Sequence, residues 1–169
     1  MVALEERGQL RSQGGRETLA AMSAPAETGI VFDLDGTLIE SAPAIQAVGN
    51  QFLDTLDLPH MDLAETISFI GGGSETYVRL MLEARDAYDA DTFPGRFEAF
   101  MAIYNASSPD LNRPFPGVED ALRELRRRGH AVGLCTNKPT TPTLKVLEAM
   151  GWTELFDAVI AGDTLPVKK

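Results

Sequence analysis

The sequence predicts an α/β fold: a parallel-sheet core interrupted by an all-helical insertion. Three observations carry that expectation. Short β-branched or aromatic runs recur at 30–32, 131–135 and 156–161. From residue 118 onward helical and strand patterns alternate, the order that builds a parallel sheet. Between the first two runs, residues 42–108 show helical spacing throughout and no strand pattern.

Ile30, Val31 and Phe32 are apolar on both faces, which suits a buried parallel strand ending in the tight turn Asp33-Leu34-Asp35-Gly36-Thr37. Ser41 and Pro43 open a helix carrying Ile45, Val48, Phe52 and Leu53, and Leu58-Pro59 closes it. Gly71-Gly72-Gly73 is a flexible break, Ser74 is a candidate cap for a helix with Val78, Met81, Leu82 and Tyr88, and Pro94-Gly95 breaks that helix. Phe97, Phe100, Met101 and Tyr104 then fit i, i+3, i+4, i+7. Pro114 to Gly117 lead into a helix with the stripe Val118, Ala121, Leu122, Leu125, and Gly129 supplies a left-handed stop. Thr141-Pro142 reads as the N-cap and first turn of a further helix, with apolar contacts from Leu144, Val146 and Leu147.

The expected division is a mobile N-terminal extension at 1–28, a core at 29–39 plus 113–169, and a helical insertion at 42–108. Three strands are fewer than such a sheet usually holds, about 4–6, and the chain stops directly after the third strand and its loop. The core is therefore expected to be incomplete, and residues 1–169 alone marginally stable and prone to self-association through an open strand edge.

Composition excludes several classes. Among 169 residues, 15 Lys plus Arg stand against 25 Asp plus Glu, a net charge of −10. That disfavours nucleic acid and anionic membrane as partners. It still allows a small phosphorylated metabolite, where a metal or a few lysines reverse the sign locally. The single Cys135 rules out an intrachain disulfide, and with two histidines a zinc site is not expected. No secretory signal core or membrane-length apolar run is present, so a reduced, cytoplasmic setting is the default. Nothing in the pattern sets an oligomeric state.

The chemistry gathers at strand ends, where open α/β sheets bind ligands. Asp33 and Asp35, two apart, can share a hard cation such as Mg²⁺, which takes oxygen ligands. One carboxylate can attack phosphorus while the second serves as acid and base. Gly36 lets backbone turn closely around a phosphate, and Thr37 offers a hydroxyl. The same Asp-x-Asp-Gly also reads as an ordinary turn after a strand. Thr136 and the following amides suit phosphate oxygens, and equally suit a loop cap. The terminal Lys168-Lys169 pair reads as solvated.

The longer string VFDLDGTLIES resembles motif I of the haloacid dehalogenase-like hydrolase superfamily, which is dominated by phosphatases. The resemblance covers residues 29–169 and implies a Rossmann-like core with a C1-type helical cap at 42–108. It implies Asp33 as nucleophile, Asp35 as general acid/base, and Mg²⁺ held at Asp33 and Asp35. Gly36, Thr37, Thr136 and Asn137 become substrate-binding residues, with Thr136 matching motif II. Lys169, or Lys168 one register earlier, stands for the motif III lysine. No residue matches the acidic fourth motif, so residues 1–169 alone are expected to be poor in Mg²⁺ binding and phosphatase activity. The form CTNKP and the stretch PFPGVEDALRELRRRGH are similar to those of phosphoglycolate phosphatases.

Asp35 distinguishes the chain from dehalogenases, which lack an acid there, and the absence of lysine from 42–108 argues against a Schiff-base hydrolase. The implied activity is Mg²⁺-dependent hydrolysis of a phosphomonoester through an aspartyl phosphate, with 2-phosphoglycolate as the expected substrate. The alternatives are a sugar-phosphate mutase of the β-phosphoglucomutase type and an inactive fragment acting as a binding module.

Overall fold

The computed structural model describes residues 29–165; the expected extension at 1–28 and the lysines Lys168 and Lys169 lie outside the described residues. Three parallel strands form the sheet: β1 (Gly29–Phe32), β4 (Ala131–Cys135) and β5 (Ala158–Ile160), in the order β1-β4-β5. Gly29 pairs with Ala131 and Phe32 with Leu134, so both strands end level. Gly133 pairs with Ala158 and Cys135 with Ile160. α5 (Val118–Arg127) and α6 (Thr140–Ala149) are the crossover helices. Leu34, Leu122, Val132, Leu134, Val146, Leu147 and Trp152 are buried together as the core of this part.

Between β1 and α5 lie four helices: α1 (Ala42–Asp54), α2 (Leu63–Phe69), α3 (Gly73–Glu83) and α4 (Phe93–Ala106). They have a core of their own, built on Phe52, Leu53, Tyr77, Val78, Met81, Leu82 and Phe100. Phe52 meets Phe100 edge-on at 5.7 Å, a favourable aromatic geometry. Arg85, its side chain almost fully buried, forks onto both Glu65 carboxylate oxygens and ties the end of α3 to α2. The two passages between sheet and helices are themselves paired: β2 (Ile39–Glu40) runs antiparallel to β3 (Arg113–Pro114).

Several expectations need correction. β1 is not buried on both faces, since Val31 is 67% exposed; among the described residues β1 pairs on one side only, with β4. The third strand is shorter than 156–161, because Thr153–Leu155 forms a 3-10 turn that seats Phe156 in the core. Pro94-Gly95 opens α4 instead of breaking a helix; proline is tolerated in a first turn, whose N–H groups have no helical partner. α3 starts one residue before Ser74, with Gly72 at the cap and no side-chain cap bond, and it ends at Glu83, short of Tyr88, where the backbone turns left-handed at Asp86. α6 starts at Thr140, not after Thr141. Leu144 faces out and is exposed, so it adds nothing to the core.

Asp157 secures the start of β4. Its carboxylate accepts from the Val132 backbone N–H at 2.8 Å and from Arg126 at 2.9 Å. Those two donors, the backbone one first, hold the carboxyl below the ordinary aspartate range. A depressed pKa gives stability that is present above the unfolded value, about 3.9, and lost as pH falls through the folded one. Asp157→Asn should therefore flatten the acid side of a melting-temperature profile, read between about pH 6 and about pH 2.5. Phe52→Ala removes a fully buried ring from the helical core and should cost about 3–5 kcal/mol in urea unfolding.

Candidate active site

β1 runs out into a tight turn. Leu38 N–H and Ile39 N–H both donate to the Leu34 carbonyl, and Gly36 N–H donates to Ile39 O. Gly36 has φ of 75°, which a residue with a Cβ adopts only under strain. The turn directs Asp33 and Asp35 into a pocket at the C-terminal edge of the sheet. Because Phe32 and Leu134 are in register, the residues after β4 reach the same pocket: Thr136, Asn137, Lys138 and Pro139. The helices close it from above with Ile45, Tyr77, Phe100 and Tyr104, and Ile70, Gly71, Gly73 and Ser74 form a side wall. The cavity is about 70 Å³.

Four of the residues read from sequence thus meet in one place: Asp33, Asp35, Thr136 and Asn137. Gly36 and Thr37 do not line the pocket; both lie exposed in the turn that shapes it. Lys169 is outside the described residues. Thr136 is buried; its N–H donates to Ile160 O, and its Oγ1 accepts from the Lys138 N–H at 3.1 Å. The hydroxyl proton keeps a donor for a ligand oxygen. Asn137 Nδ2 donates to Gly71 O at 2.8 Å, joining the sheet edge to the helical part.

Lys138 is the residue that sequence reading missed. Its Nζ donates to Asp35 Oδ1 at 2.9 Å and lies 5.5 Å from the centre of the Tyr104 ring. The side chains are 2% and 14% exposed, so this is a buried ion pair. Burial alone would lower the lysine pKa, but the Asp35 carboxylate and a hydrogen bond with the Tyr104 side chain outweigh it and hold the ammonium above the ordinary lysine range. Burial pushes the Tyr104 phenol up, so it is neutral near pH 7. The available signal was the lysine two residues after the motif II threonine in CTNKP.

The loop after β5 supports this loop from behind. Gly162 N–H donates to Lys138 O at 2.8 Å. Asp163 Oδ1 accepts from both N–H and Oγ1 of Thr140, capping α6 across space. These donors bring the Asp163 carboxyl below its ordinary range against a partial burial that would raise it.

Two carboxyl groups on one pocket floor, Asp33 and Asp35, fit a hard divalent cation, which typically takes one or two protein carboxylates and completes its shell with water and phosphate. Asp35 Oδ1 is already held by Lys138, so Asp35 would offer its other oxygen or its backbone carbonyl. No group of three or more His, Cys, Asp or Glu side chains placed to hold a metal occurs among the described residues.

Residues 30–169 match the model of the haloacid dehalogenase-like hydrolase family. The chain belongs to that family. It is 44% identical over 145 residues to a phosphoglycolate phosphatase of Cereibacter sphaeroides (strain ATCC 17029), covering 83% of this chain and 65% of the relative. It is 37% identical over 147 residues to one from Rhodobacter capsulatus, covering 86% and 65%. Among solved structures, a predicted phosphoglycolate phosphatase from Haemophilus somnus superposes with a TM-score of 0.75 at 27% identity, over 84% of this chain and 65% of that one. The chain therefore spans about two thirds of the length of these relatives. No helix among the described residues is long and apolar enough to cross a membrane.

The close seating of the two loops has a testable consequence. A Cβ on Gly162 would fall well inside contact distance of the Asn137 carbonyl oxygen, a backbone atom that cannot swing aside. Gly162→Ala should displace the 136–139 loop, lowering the melting temperature and weakening protection of the Lys138-to-Gly162 amides in hydrogen exchange.

Proposed function

We propose that the protein is a Mg²⁺-dependent phosphomonoester hydrolase acting on 2-phosphoglycolate. The observation that carries this is the meeting of Asp33, Asp35, Thr136 and Asn137 on one pocket floor. The relatives called phosphoglycolate phosphatase support the substrate.

In this reading the Asp33 carboxylate attacks phosphorus and becomes an aspartyl phosphate as the P–O bond to the leaving group breaks. Asp35 enters this step in its protonated form and delivers that proton to the departing oxygen; the carboxylate so formed, the state that pairs with Lys138, then takes a proton from the water that hydrolyses the acyl phosphate. The Thr136 hydroxyl and the amides after it hold phosphate oxygens. Lys169 balances charge at the phosphoryl group. Asp33 and Asp35 would hold the Mg²⁺, whose charge would offset that of the phosphoryl oxygens. Residues 29–39 and 113–169 serve as the catalytic unit and 42–108 as its cap. The lone cysteine fits a reduced, cytoplasmic setting.

Phosphate release from 2-phosphoglycolate should require Mg²⁺ and stop with EDTA. Asp33→Asn should abolish it without changing the circular dichroism spectrum. Asp35→Asn should cost about 10²–10⁴ in kcat, the range of a general acid–base group. Undiminished turnover in Asp33→Asn, or metal-independent turnover in the wild type, would overturn the reading.

A further inference from the structure

Resting on the phosphomonoesterase reading, we infer that Lys138 determines specificity by holding the acidic group of the leaving group beside Asp35. The starting point is a charge conflict. A leaving-group oxygen protonated by Asp35 must sit within hydrogen-bond reach of it. When that oxygen belongs to a hydroxy acid, a second carboxylate arrives one methylene away. Once Asp35 has given its proton to the leaving oxygen it is itself a carboxylate, and two carboxylates at that separation repel strongly.

Lys138 stands where the conflict would arise. With its Nζ 2.9 Å from Asp35 Oδ1, the ammonium is within about 6 Å of a leaving oxygen hydrogen-bonded to that same carboxylate oxygen. A carboxylate one carbon beyond that oxygen can then reach it. An ammonium has three N–H donors. The Asp35 carboxylate and the Tyr104 ring engage two of its directions, leaving capacity for one more acceptor. Lys138 is also the one lysine or arginine lining this pocket among the described residues. The Lys138 side chain is almost fully buried, so the cation is worth more here than at the surface.

A neutral leaving group of the same length gains nothing from this cation. The consequence is selectivity for short phosphate esters of hydroxy acids over their uncharged analogues. Lys138 thereby does two separable things: it positions Asp35 for every substrate, and it recognises the carboxylate of one class.

The test compares 2-phosphoglycolate with 2-hydroxyethyl phosphate, its uncharged match in length, for wild type and Lys138→Met. Both substrates should lose kcat/KM in the variant, and 2-phosphoglycolate should lose at least about tenfold more, with Lys138→Arg restoring part of the preference. Equal losses on the two esters would overturn the inference and leave Lys138 as a positioning residue for Asp35. A wild type that turns over 2-hydroxyethyl phosphate at least as well as 2-phosphoglycolate would overturn it too, with the hydrolase reading intact. A wild type inert toward both esters would overturn the hydrolase reading and this inference with it. A measurement on wild type alone decides the matter should the variants not fold. Glycolate should inhibit 2-hydroxyethyl phosphate turnover well below the concentration at which ethylene glycol does, and equal inhibition would overturn the inference.

Discussion

The buried ion pair between Lys138 and Asp35 joins residues 103 positions apart in sequence and sets the geometry around it. A charge removed from water costs several kcal/mol unless a partner and further polar contacts meet it. Each of these two charges is therefore tied to the other's position. The parallel register of β1 with β4 makes that tie feasible, since it ends both strands at one level. The tight turn after β1 then swings Asp35 towards the loop after β4, where Thr136 Oγ1 accepts from the Lys138 N–H and fixes the loop that carries the lysine.

That loop has little freedom left. Thr136 N–H is held by Ile160 O, Gly162 N–H holds Lys138 O, and Asp163 holds both donors of Thr140. The rim built from three strand ends is thus bonded across its whole width, from the β1 turn to the loop after β5. A rigid rim matters for phosphoryl chemistry, because a nucleophile misplaced by an ångström loses much of its advantage.

How far the sequence could be read depends on how local each cause is. Asp33 and Asp35 sit at the end of an apolar run, and both the strand and the turn are decided within a few residues. The helices 42–106 follow from apolar spacing along one chain segment in the same way. Lys138 was not readable because a lysine between asparagine and proline in a polar loop looks solvated. Its burial comes in part from α4, where Tyr104, 34 residues upstream, lies beside it. The cap of α6 by Asp163 and the two-residue pairing of β2 with β3 were hidden for the same reason: neither leaves a periodic trace, and both exist only once distant segments meet. The start of α4 at Pro94 shows the converse, a local rule applied at the wrong end of a helix.

The contacts between the helical part and the sheet edge share one origin. Asn137 reaches Gly71 ahead of α3, Lys138 reaches the Tyr104 ring on α4, and Lys145 on α6 donates to the carbonyls of Asn105 and Ser107 at the end of α4. All three donors lie on β4's following loop and helix, and two of them grip α4. Tyr104 is next to Asn105 and three residues before Ser107, whose carbonyls Lys145 holds, so the placement of α4 over the pocket and the seating of the Lys138 ammonium are coupled. A shift of α4 would strip the ring from one side of that ammonium while leaving Asp35 on the other. The charge balance at Asp35 is in this way made to depend on where the helices sit above it, although Asp35 itself belongs to the sheet.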